Sequence, residues 1–391
     1  MIDKSLKVYE INDTQFDCIG EIDDAQSIIV VNELQKCGSI EVTVPITEKN
    51  VELLVKDNVI SVNDKQAYFI EYLNYDTTES DGQKKMILKI KGRDLKKILT
   101  QRIVWNTFFI SASQSKAPHV AGIMYDLVNE NFINCTDENR KYPYLRLFEG
   151  DMGEKREFGK VITNYQKTGG EVFEALQTLA QNNELGFDIE FDRKEKKFKF
   201  LVTQGEDRTQ GNEIICLSTD LSSILGSIYT YDNSSEKGIV LIAGAGEGVD
   251  RIKQTIGLDD VNINHGMNRK ELYVDARDEQ KTVFEDGVSK ELTDDEYNAL
   301  LIQRGHEKLL HCTVVTSFEA DIKTYGSQQY LFGKDYNLGD KIKMRDYDIG
   351  VEIDALVTAS QESWENDEYK LSLTVGYGVP TIFDKMKKFL K

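Results

Sequence analysis

Apolar residues recur at every second position near both ends of this 391-residue chain, and that period admits few architectures. Ile40, Val42 and Val44 alternate with Ser39, Glu41 and Thr43, and Leu371, Leu373 and Val375 alternate with Lys370, Ser372 and Thr374. Side chains of an extended strand point alternately to its two faces, so each segment offers one row to a core and one to water. Met86, Leu88 and Ile90 repeat the pattern, and residues 16–22, 27–31, 59–62 and 68–75 add further strands between turn-prone clusters. Six or seven short strands before residue 99 predict a small antiparallel barrel or sandwich.

The period then changes. Val120, Ile123, Met124, Leu127 and Val128 fall at helical spacing, as do Val172, Phe173, Leu176 and Leu179, and residues 187–191 and 198–202 read as a hairpin. Strands resume over 222–231, 238–243, 318–322, 341–344, 351–357 and 369–375. Between them Thr293 and Glu296 form a capping-box pattern ahead of Leu300, Leu301, Leu309 and Leu310, which predicts a helix over 294–311. The predicted division is a first β-barrel over 1–98, an α+β peripheral domain over 99–210, and a discontinuous second barrel over 211–250 and 318–378. An inserted outer domain fills 251–317, and an amphipathic helix ends the chain over 379–391. In that helix Ile382, Phe383, Met386, Phe389 and Leu390 share one face, and Lys385, Lys387, Lys388 and Lys391 make the remainder basic.

Composition removes several functions. A formal net charge of −19 repels phosphate backbones, which disfavours nucleic-acid binding. Five scattered cysteines without a Cys-x-x-Cys pair suggest neither a disulfide framework nor a zinc site. No apolar run is long enough for a membrane span, and the N-terminus lacks a signal-peptide core, so cytosolic folding without a membrane anchor is expected. No cofactor is expected either. The strand 239–243 runs into Gly244, Gly246 and Gly248 and imitates a dinucleotide fingerprint, but position 249 is Val where the third glycine belongs. His306 and His311 stand five apart, about 140° around a helix, and cannot share a metal as zincin histidines do. No catalytic residue or metal ligand is therefore assigned.

Four segments together carry a resemblance. Residues 91–99 (KGRDLKKIL), 240–251 (VLIAGAGEGVDR), 269–278 (RKELYVDARD) and 333–340 (GKDYNLGD) follow in an order similar to that of the phage tail-hub family. That family comprises the siphophage tail-hub and baseplate hub proteins, also found in phage-tail-like bacteriocins (tailocins). The resemblance covers residues 7 to about 383. It implies a mainly β fold with α+β parts: two tube-type antiparallel barrels and two peripheral domains, trimerised so that six barrels continue a six-fold tail tube. The implied partners are tail-tube or distal adaptor proteins, other baseplate proteins and a central spike or fibre, with tape-measure protein or DNA passing through an acidic lumen without tight binding. The implied place is the tail tip of a virion or tailocin, assembled in the bacterial cytoplasm. Gly244, Gly246 and Gly248 then become a structural turn after a barrel strand, and the C-terminal apolar face becomes a docking surface for a partner. A tail-associated peptidoglycan hydrolase is the alternative, although any such activity is expected to reside in another chain.

Overall fold

The computed structural model describes residues 5–80, 83–110, 118–148, 156–162, 165–211, 213–259, 265–285, 288–325, 330–365 and 368–376. The first strands are β1 (Leu6–Ile11), β2 (Phe16–Ile22), β3 (Ser27–Glu33) and β4 (Ser39–Pro45). After helix α1 (Glu48–Leu53) come β5 (Val59–Ser61), β6 (Ala67–Asp76), a two-rung ribbon of β7 (Glu79–Ser80) and β8 (Gln83–Lys84), and β9 (Ile87–Asp94). The alternation acts as the sequence predicts except at Met86, which precedes β9 and is exposed. Ile40, Val42, Val44, Leu88 and Ile90 are buried together with Val8, Ile28 and Val30, while Glu41 on the other face pairs with Lys89 and Lys91. Helix α1 escapes a periodicity search because it has only six residues; the Thr47 hydroxyl starts it by accepting the Asn50 N–H at 3.1 Å.

The α+β region holds β10 (Phe108–Ile110), α2 (Val120–Val128), β11 (Leu145–Leu147), β12 (Tyr165–Lys167), α3 (Val172–Asn182), β13 (Leu185–Asp192) and β14 (Lys197–Gln204). Strands β13 and β14 form the expected hairpin, extended by β11 in parallel with β14. Its core does not stop at residue 99. Tyr9 and Phe16 of the first sheet lie 5.0 and 5.6 Å from the Phe191 ring, so the two regions bury one aromatic cluster between them.

The remaining elements are β15 (Cys216–Ser218), β16 (Ile224–Asp232), β17 (Ile239–Ala243), β18 (Lys253–Ile256), β19 (Glu271–Asp275), β20 (Thr282–Glu285), β21 (Val288–Glu291) and α4 (Asp294–Leu310). They are followed by β22 (Val315–Ile322), β23 (Lys341–Asp346), β24 (Val351–Glu365) and β25 (Glu368–Gly376). One expectation is corrected here. Strand β17, assigned from sequence to the second barrel, pairs instead with β18 and β19 in a three-stranded sheet packed under α4. The excursion therefore begins directly after β16, because Val240 and Ile242 bury against Leu300 and Leu301 of the helix.

The expectation of two closed barrels also needs revision. A single 13-stranded sheet runs β16-β22-β25-β24-β3-β4-β9-β6-β5-β1-β2, with β23 and β15 branching from β24, and among the described residues no ladder closes either half. The halves nevertheless repeat one plan. The antiparallel order β3-β4-β9-β6-β5 recurs as β16-β22-β25-β24-β23. Each copy has a bulge on its fourth strand, between Ile70 and Tyr72 against β9 and between Val357 and Ala359 against β25.

Candidate assembly interface

The two halves meet through β24 and β3. Strand β24 has fifteen residues, enough to pair β23 with its first part and β3 with its second. Ala359 to Glu365 face Glu33 to Ser27 antiparallel, and the Leu34 N–H extends the ladder to the Thr358 carbonyl at 2.9 Å. Ile28 and Val30 are fully covered, and Trp364 packs against the same core. At the seam Glu362 accepts the Tyr369 hydroxyl at 2.8 Å, and Asn32 accepts from Tyr68 at 2.9 Å and from Gln66 at 3.1 Å, while the buried Ser360 hydroxyl has no hydrogen-bond partner among the described residues.

Two comparable edges have no partner among the described residues. Strand β16 pairs only with β22, and β6 beyond Ile70 pairs only with β9. Large apolar side chains are exposed along both: Tyr72 and Tyr75 on β6, and Leu225, Ile228 and Tyr231 on β16. An unpaired strand edge rimmed with apolar side chains is a pairing template. Sequence reasoning placed strands here but missed the edges, since only the pairing reveals which strands end a sheet.

The four segments that carry the family resemblance all prove to be structural corners. In the first, a Cβ on Gly92 would lie 2.0 Å from the Phe69 carbonyl oxygen, so glycine lets β9 approach β6. Arg93 holds Glu71 through two bonds of 2.7 and 2.8 Å, which together with Lys97 keep that carboxyl down at about 2. Asp94 caps the following 3-10 turn (Leu95–Gln101) and accepts the Gly38 N–H at 2.7 Å; burial raises its carboxyl to about 6. The buried Lys96 ammonium donates to the Glu33 carbonyl and lies 3.4 Å from Asp94, tying the corner to the end of β3.

The second and third segments interlock. Arg251 donates to the carbonyls of Ala243 at 2.6 Å and Gly244 at 2.9 Å and also holds Asp275, whose carboxyl Arg277 and Arg251 keep down at about 2. Gly246 and Gly248 have φ of 97° and 55°, the left-handed region that glycine adopts without steric cost. Gly244 does not; there the requirement is space, because a Cβ would meet the Tyr297 hydroxyl oxygen at 2.6 Å and Leu301 at 2.8 Å. The Ala245 N–H, where a phosphate would sit in a dinucleotide site, donates to the Tyr297 hydroxyl at 2.8 Å. The turn thus follows a strand of the outer domain, and a side chain of its own helix occupies the anion position. In the fourth segment Asp340 accepts from the Glu206 and Asn337 amides and from Arg208 Nε, anchoring the chain that leaves β14.

An open cleft of about 780 Å³ lies between β3, β13 and β24. Carboxylates along it are engaged: Glu362 by Tyr369, Asp188 by the Ile189 N–H at 2.8 Å, Glu190 by Lys65, and Asp64 by Arg193. Among the described residues no cluster of His, Cys, Asp and Glu fits a metal ion, and no helix is long and apolar enough to cross a membrane. All five cysteines are free thiols. Between α4 and β12, Glu279 is buried with one oxygen 3.0 Å from Arg304 and the other unpaired; burial lifts its carboxyl to about 7. Ile382, Phe383, Met386, Phe389 and Leu390 lie outside the described residues.

Comparison with solved structures places the fold. The prophage MuSo2 43 kDa tail protein from Shewanella oneidensis matches at a TM-score of 0.55 and 12% identity, over 95% of this chain and 98% of that one. The tail protein of Neisseria meningitidis MC58 matches at 0.53 and 12%, over 95% and 96% of the two chains. The prophage tail protein gp18 of Listeria monocytogenes EGD-e matches at 0.50 and 11%, over 99% and 98%. No curated protein sequence matches. The fold is thus similar to that of phage tail proteins from end to end, and the family model for Siphovirus ReqiPepy6 Gp37-like protein matches residues 7–377; the chain belongs to that family.

Proposed function

We propose that the chain is a structural hub at the tip of a phage or tailocin tail. In this reading it is a homotrimer that adapts a six-fold tail tube, or its distal adaptor, to a central spike or fibre among the other baseplate proteins. The observation that carries the proposal is the duplicated half-sheet: one chain holds two copies of a five-strand plan, joined edge to edge through β24 and β3. Three such chains present six halves to a six-fold tube, and joining edges head to tail closes a ring and removes its exposed strands. The engagement of the cleft carboxylates favours this structural role over a hydrolase.

A charge of −19 per chain suits a channel that passes DNA or tape-measure protein without holding it. The solvent face of the sheet is mixed in sign, since Glu41 sits between Lys89 and Lys91, so the repulsion comes from the chain as a whole and not from a uniformly acidic strand face. The apolar face of 379–391 docks on a neighbouring copy or on the spike; ending the chain at Gly378 then abolishes spike attachment and leaves the trimer. Light scattering tests the proposal. Three copies of 44.6 kDa give about 134 kDa, with a ring at the tail tip in particle images, whereas a strict monomer at micromolar concentration and no such ring would overturn it.

A further inference from the structure

We infer that copies of this chain join by antiparallel pairing of β6 with β16 in one defined register, in which Asn74 faces Thr230 of the neighbouring copy. The inference rests on the ring assembly proposed above and supplies its contact.

The register follows from the internal repeat. Aligning the two bulges sets Ile70 on Val357. Stepping across the ladders from that point, Gly92 takes the place of Val375, Ile40 that of Phe318, and Val30 that of Tyr229. Within the chain Glu362 faces Val30. Tyr75 stands in β6 where Glu362 stands in β24, so the same joint made between copies sets Tyr75 opposite Tyr229. Leu73 then faces Tyr231, Asn74 faces Thr230, and Asp76 faces Ile228.

Two observations independent of the alignment agree. The first is facing. Leu73 packs against the core of the first half and Tyr229 against that of the second, so Leu73, Tyr75, Tyr229 and Tyr231 all belong to core-side rows. The derived register sets these rows together, whereas a slip of one residue would set each against a solvent-side row. The second is exposure. Tyr75 is 48% and Tyr231 59% exposed although both lie on core-side rows, while Val30, the in-chain counterpart of Tyr229, is fully covered by β24. A second copy would cover the first two as β24 covers Val30. The two edges are different strands, so the contact is head to tail and terminates only by closing a ring.

Cross-linking the full chain tests this. Asn74→Cys with Thr230→Cys and, separately, Leu73→Cys with Tyr231→Cys occupy adjacent rungs, which alternate between Cα separations of about 5.5 and 4.5 Å, both within disulfide reach. Mild oxidation is expected to convert most of the chain to covalent oligomers in at least one variant, with the new bridge mapped by peptide mass. Asn74→Cys with Gly226→Cys, four positions out of frame, is expected to give no such bridge, and the unsubstituted chain controls for native cysteines. A trimer by light scattering that cross-links in neither rung variant, or equally in the out-of-frame one, overturns the register and leaves the hub reading standing. A monomer at every concentration overturns both.

Discussion

Replacing Tyr297 by Phe should open the outer domain locally, by an amount the structure allows to be worked out. The hydroxyl accepts the Ala245 N–H at 2.8 Å and donates to the Glu279 carbonyl at 3.1 Å, and the residue is almost fully buried. Removing it forfeits two hydrogen bonds of about 1 kcal/mol each and leaves partly or fully buried backbone groups unpaired, at about 1–3 kcal/mol for such a group. The expected loss is about 2–4 kcal/mol. Gly244→Ala should cost about 1–3 kcal/mol by overpacking, since its Cβ would lie 2.6 Å from that hydroxyl oxygen and 2.8 Å from Leu301. The double variant should lose less than the sum, because the hydroxyl that the new methyl meets is gone while the Leu301 contact remains. A chain of several packed regions need not unfold in two states, so native-state hydrogen exchange across β17 and α4 is the appropriate assay. A loss of about 2–4 kcal/mol corresponds to exchange roughly 30- to 700-fold faster at amides that open with this unit. A change below about threefold in Tyr297→Phe, or strict additivity in the double variant, would refute the account of the turn.

Two further outcomes follow from buried positions. Gly92→Ala should destabilise the first half by about 2–4 kcal/mol, because its Cβ meets the Phe69 carbonyl oxygen at 2.0 Å and backbone cannot step aside as a side chain can; an unchanged denaturant midpoint would contradict this. Glu279 has its carboxyl raised to about 7 by burial, against the opposing pull of Arg304 and with Asp278, Glu307 and Lys167 nearby. Stability from this group is therefore fully present below about pH 4.5 and is lost as pH rises through about 7, by up to about 3 kcal/mol. Exchange protection of α4 should fall between about pH 4.5 and 7 and level off above, and Glu279→Gln should flatten that slope; an equal slope in both proteins would show that another group titrates.

Much of this was legible in the sequence wherever the signal was local. The period-two rows at 40–44 and 371–375 marked strands with one buried face because alternation is a property of the strand itself. Thr293 and Glu296 marked the start of α4, where hydroxyl and carboxylate do bond reciprocally to each other's backbone amides. The valine at 249 marked the glycine turn as departing from a dinucleotide fingerprint.

What the sequence left open was always a relation between distant segments. Strand β17 has the same apolar texture as a barrel strand, and only its ladders to β18 and β19 assign it to the outer domain. The Tyr297 hydroxyl reaches the glycine turn across 52 residues, and Glu279 is buried between α4 and β12, which no local pattern brings together. The repeat of the two halves is likewise carried by strand order and bulge position, which different side chains satisfy equally. Alternation of side chains is decided residue by residue along the backbone, and so sequence determined which face of each strand is buried. Edge pairing uses backbone amides and carbonyls that every residue carries, so only the tertiary structure decided which strands meet and which edges stay free.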